Sequence, residues 1–145
     1  MIISIMIYTD SGLLAYEARF ERCEINCDLV AGFATAVRQF GSEIFPRDQL
    51  ADILFTNTHM VIEQHDVNGN EITFLVIHEP FEDHDFIYRL IEVIRDELEE
   101  RYSNVFKGPG INRSKLAKLD DFIYKIFKDA GRKESPFTCS FDDSS

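Results

Sequence analysis

Residues 78–85, HEPFEDHD, set two histidines and four acids into eight positions. Imidazoles and carboxylates at that density are the raw material of a metal site or an acid–base pair. His78-Glu79 begins like the HExxH zinc-protease motif, but Glu82 stands where that motif needs its second histidine. Pro80 also forbids the continuous helix that would bring two ligands onto one face. The plainer reading is a strand handing over to a helix. Glu82, Asp83 and Asp85 then gather where free N–H groups and the positive end of the helix dipole favour anions.

The other histidines are His59 and His65, which share a face if residues 59–66 are a strand. Asn68-Gly69 is the strongest turn signal in the chain, because a type I′ hairpin needs φ > 0 at both central residues. Val67 then pairs with Asn70, and counting back along both strands puts His78 opposite His59. Such a pair, with a nearby carboxylate, could hold a metal, and a small metal-dependent hydrolase using His59 and His78 is the enzyme alternative. Two imidazoles without tight ligand spacing read more simply as polar residues at a sheet end. No metal, cofactor-binding or catalytic residue is therefore assigned.

Other chemistry finds less support. Cys23 and Cys27 are spaced C-x3-C, with only Cys139 left to complete a zinc set, so the thiols read as buried or idle. TDSGL lacks the GxSxG nucleophile elbow. No GxxxxGK phosphate loop is present, so the chain is not itself a GTPase. Asp83 and Asp85, or Glu99 and Glu100, point to different helix faces and make poor acid–base partners. The expectation is a protein that is not an enzyme and needs no cofactor.

A chain of 145 residues suits one domain, and 45% hydrophobic residues supply a core. The odd cysteine count, three, argues for a reducing compartment. No signal peptide and no apolar run of about 20 residues is found, so a cytoplasmic protein is expected. A net charge of −11 disfavours nucleic acid. The charge is uneven: residues 107–133 carry 8 basic and 3 acidic groups, after a strongly acidic body.

The elements that would position these residues follow from periodicity. Residues 2–8, IISIMIY, read as a buried strand, and Gly12 supplies a positive φ for a three-residue loop. Residues 13–20 read as the return strand, with Leu14, Tyr16, Ala18 and Phe20 on one face. A helix over 28–44, capped by Asn26 or Asp28, carries a stripe of Leu29, Val30, Phe33, Val37, Phe40 and Ile44. Strands follow at 50–56, 59–66 and 71–78, the last apolar enough to be central. A second helix spans about 83–103. A third, about 114–130, has Leu116, Leu119, Ile123, Ile126, Phe127 and Ala130 on one side, and Gly131 ends it. The order β-β-α-β-β-β-α-α implies an α+β fold with one antiparallel sheet. Residues 1–130 form the domain and 131–145 a flexible tail.

That order resembles the longin domain and its relatives in the roadblock and profilin-like folds. The likeness rests on IISIMIYTDSGLLAYEARF as an opening hairpin, DLVAGFATAVRQFGSEIF as the first helix, LADILFTNTHMVIEQHDVNGNEITFLVIHE as a meander and FIYRLIEVIRDELEERY as the second helix. It implies a five-stranded sheet of order 2-1-5-4-3. It also implies a non-enzymatic platform, a homo- or heterodimer that binds or regulates a small GTPase or scaffolds a vesicle-trafficking complex. A profilin-like cytoskeletal binder is a further alternative. The family has no short catalytic signature from which residues could be carried over.

On that fold strand 50–56 would be a sheet edge, blunted only by Asp52. Leu50, Asp52 and Leu54, with Phe33 and Phe40 of the first helix, are the expected partner-binding residues. Most of the helix phenylalanines are nevertheless expected in the core. Lys115, Lys118, Lys125 and Lys128 accompany the apolar stripe of the third helix. That helix could touch an anionic membrane peripherally, but docking on the sheet is preferred, since one face would otherwise lack a cover.

Overall fold

Ile2–Thr9 (β1) and Leu14–Arg19 (β2) form the opening hairpin. The structure, a computed structural model, describes residues 1–20, 26–47, 51–106, 111 and 113–133. In the hairpin loop the Gly12 N–H donates to the Thr9 carbonyl at 2.9 Å, and Gly12 takes a φ of 85° that a side chain would strain. The ladder slips by one residue: Ile7 faces Tyr16, but Tyr8 faces Leu14. Ala15 is the extra residue of a bulge. The bulge turns Leu14 to the opposite side of the sheet from Tyr16, Ala18 and Phe20. The expectation that all four share a face is corrected there.

Cys27–Ile44 (α1) begins at Asn26, whose side chain accepts the Leu29 N–H at 3.1 Å. Asp52–Leu54 (β3) is shorter than the expected 50–56, and Leu50 lies outside the described residues. His59–Val67 (β4) and Asn70–His78 (β5) meet at Asn68-Gly69, whose φ values of 53° and 85° are both positive. Their register pairs Val67 with Asn70 and His59 with His78, as the turn chemistry requires.

His84–Arg101 (α2) follows. The helix expected over 114–130 is in two pieces, Arg113–Leu116 (α3) and Leu119–Asp129 (α4). At the break the Lys118 N–H donates to the Lys115 carbonyl and the Asp120 N–H to the Ala117 carbonyl, both three residues back. This tighter turn keeps Leu116 and Leu119 both buried. Ala130, expected in the stripe, is exposed as the C-cap, and Gly131 follows with a φ of 75°.

The five strands form one antiparallel sheet of order β2-β1-β5-β4-β3. Ile5, Ile7, Tyr16, Val61, Phe74 and Val76 face α2, α3 and α4, while Met6, Tyr8, Met60, Ile62, Leu75 and Ile77 face α1. The fold is thus α+β in three layers. Leu119, Ile123 and Phe127 of α4 are fully buried, so its apolar stripe is spent on the core. The Tyr16 hydroxyl donates to Asp120 Oδ1, tying β2 to α4. Burial pushes the proton affinity of both groups above its ordinary value. Among the described residues, no helix is long and apolar enough to cross a membrane.

Candidate functional sites

The first site is an apolar face. Leu29, Phe33, Phe40 and Ile44 follow one another by steps of four, seven and four residues, which places them on one side of α1. Contrary to the core expectation, that side is exposed: Leu29 to 71%, Phe40 to 64%, with Phe33 and Ile44 also open. The helix docks instead through Val30, Ala31 and Ala34, and Arg38 donates to Thr73 Oγ1 at 3.0 Å. The reason is volume. The sheet beneath already projects Met6, Tyr8, Met60, Ile62 and Leu75, so small helix residues fit against it and large ones do not. The exposed stripe runs on to the edge hairpin, where Phe33 and Phe55 have ring centroids 6.2 Å apart. On β3, Asp52 and Leu54 are exposed at the sheet edge, with Leu54 at 66%.

The second site lies where β4, β5 and α2 converge. His59 and His78 occupy the last rung of their ladder and project toward the α2 side, as Val61 and Val76 do. Pro80 ends the strand, and Asp83 caps α2 by accepting the Asp85 N–H at 3.0 Å and the Phe86 N–H at 3.4 Å. His84, the first helical residue, therefore points back over the strand end. One ring nitrogen from each of His59, His78 and His84 lies within 4.8 Å of the others. The His78 ring meets His59 and His84 edge-on, with centroid distances of 5.6 and 5.3 Å. His78 is fully buried; burial lowers its proton affinity despite a 2.7 Å hydrogen bond to the Glu79 carbonyl. His65 stands apart, 2.8 Å from Glu63 Oε1.

Sequence periodicity finds the first two histidines and misses the third. His84 joins them only through the path of residues 79–83. The available signal was Asp83 as N-cap, which fixes residue 84 at the start of the helix.

The acids of HEPFEDHD divide their work. Asp83 caps, while Glu82 leaves the cap and accepts two hydrogen bonds from the Arg132 guanidinium, the longer at 2.8 Å. The Met1 amine lies 3.3 Å from Glu82 Oε1. Arg132 rests on the Phe86 ring, 4.0 Å from its centroid. Burial pushes the Glu82 carboxyl up, but the Arg132 and Asp83 N–H hydrogen bonds and nearby positive charge outweigh it and hold it at about 2. One motif thus closes a strand, starts a helix and clasps the segment after α4.

No protein-family model and no curated protein matches the sequence. Among solved structures the chain is similar to Myxococcus xanthus MglB, with 14% identity and a TM-score of 0.50, covering 71% of this chain and 85% of that one. With its sheet order and its helices on both faces, the fold of this chain is longin-like.

Proposed function

We propose that this chain is a non-enzymatic interaction domain that binds or regulates a small GTPase, and that it works as a dimer of two copies joined through α1 and β3. The observation that carries the reading is the exposed stripe of Leu29, Phe33, Phe40 and Ile44, which reaches the end of the edge strand at Phe55, next to the exposed Leu54 on that strand's other face. An apolar surface of that extent beside an edge strand with Asp52 and Leu54 exposed is a place for protein, not water. A second copy suits it for two reasons. An edge strand can pair antiparallel with its own twin about a two-fold axis. The face is also poor in charge, so two bodies of net charge −11 approach there with the least repulsion. The GTPase partner follows from the longin-like fold and what that family resemblance implies.

Light scattering on the purified chain, with Leu54→Lys and Phe40→Glu alongside, tests the dimer. The expected result is a dimer for the unaltered protein and monomers with unchanged circular dichroism for both variants. Binding is then measured against small GTPases loaded with GDP or a non-hydrolysable GTP analogue. A monomeric protein that binds no GTPase in either nucleotide state would overturn the proposal.

A further inference from the structure

We infer that His59, His78 and His84 form a binding site for one divalent transition-metal ion of the zinc class. Three observations carry this, and none depends on the GTPase reading. The first is convergence: three imidazoles from two strands and a helix start bring one nitrogen each within 4.8 Å of one another. In a tetrahedral zinc site, with Zn–N bonds of about 2.0–2.1 Å, ligand nitrogens stand roughly 3.3 Å apart. The remaining closure falls within side-chain rotation, because His84 is exposed on the first turn of α2 and His59 is only partly buried.

The second observation is the state of the lone pairs. His78 is fully buried, and its Nδ1 is engaged with the Glu79 carbonyl at 2.7 Å. A carbonyl only accepts, so Nδ1 carries the proton and Nε2 presents a bare lone pair. That Nε2 is buried and has no hydrogen-bond partner among the described residues, and neither does the buried Nδ1 of His59. Edge-to-face packing accounts for the ring angles but leaves these nitrogens unsatisfied. A backbone carbonyl holding the far nitrogen of a ligating histidine is also the usual outer support of a zinc site.

The third is donor chemistry. A set of imidazoles without a carboxylate selects zinc, cobalt, nickel or copper over magnesium or calcium, which demand oxygen ligands. With three protein ligands, a fourth position is left for water or an external donor. The site lies one strand from the sheet edge, since Leu54 is the partner of His59 on the neighbouring ladder.

The test is titration of the metal-stripped full chain with Zn²⁺ by calorimetry and with Co²⁺ by visible absorption. The expected result is one ion per chain, with the d–d bands of four-coordinate cobalt. His84→Ala and His59→Ala should each weaken binding by about tenfold or more. His65→Ala, whose ring is held by Glu63, should leave affinity unchanged. His84 is exposed and Asp83 remains to cap the helix, so His84→Ala should fold, and circular dichroism verifies this. Absence of saturable one-to-one binding would overturn the proposal. So would an affinity that both substitutions leave intact, since the ion would then belong to the cysteines or the acidic surface.

Discussion

The two faces of the sheet are built from equally apolar strands and closed in opposite ways. On one, α2 and α4 insert Ile87, Leu90, Ile91, Ile94, Ile123 and Phe127, all fully buried. On the other, α1 lies down through Ala31 and Ala34 and leaves its largest side chains outside. All three helices show an apolar stripe in sequence. The difference teaches that periodicity identifies the stripe, while the volume already standing on the sheet decides whether the stripe can enter.

The contrast is tested most strongly by removing one phenyl ring from each side. Phe127 stacks on Phe20 at 4.7 Å and meets Phe86 edge-on. Phe127→Ala should cost about 4 kcal/mol in denaturant unfolding. Phe40→Ala, in the monomer-forming Leu54→Lys background, should cost about 0.5 kcal/mol or less. Equal losses would mean that α1 is as much core as α4.

Glu82 belongs to the closed side, and its clasp has a pH signature. A carboxyl held at about 2, below its ordinary value of 4.5, adds stability that is fully present above the ordinary value. That stability is lost as pH falls from about 4.5 toward 2. Glu82→Gln removes the buried negative charge that accepts from the Arg132 guanidinium and lies beside the Met1 amine, and should cost about 3 kcal/mol near neutral pH. Its stability should also fall less steeply than that of the unaltered protein through the acid window. Parallel acid transitions for the two proteins would remove Glu82 as the source of the slope.

These contrasts also mark what the sequence could say. The β4–β5 hairpin was legible down to the rung, because only Asn68-Gly69 chemistry fits a two-residue turn, and a fixed turn fixes the register that sets His59 against His78. The bulge at Ala15 was not legible, since nothing in LLAYEAR marks an extra residue. The break between α3 and α4 was hidden for a similar reason: Leu116 and Leu119 keep helical spacing across it. His84 was missed because its neighbourhood is made by the chain path and not by spacing. The outward side of α1 was legible only in part: Phe33 and Phe40 could be named for a partner surface, but a stripe carries no sign of which surface will receive it, so the core remained the expectation for most of it.

Smaller effects than those at Phe127 and Glu82 come from the helix caps, where the two sides can be compared under the same chemistry. Asp83 accepts two N–H groups at the start of α2, and Asn26 accepts one at the start of α1. Asp83→Ala should lower global stability by about 1 kcal/mol, because α2 cannot fray without exposing Ile87 and Leu90. Asn26→Ala removes a comparable hydrogen bond, yet Leu29, which donates it, is largely in solvent, and α1 docks further along through Ala31 and Ala34. Its loss should therefore appear as local opening, in which amide exchange in the first turn of α1 quickens several-fold while the unfolding midpoint moves little. Hydrogen-exchange mass spectrometry on the two variants separates these outcomes. If Asn26→Ala instead lowers protection across the whole sheet, α1 opens only when the domain unfolds, and its exposed stripe rides on a helix as firmly anchored as α2.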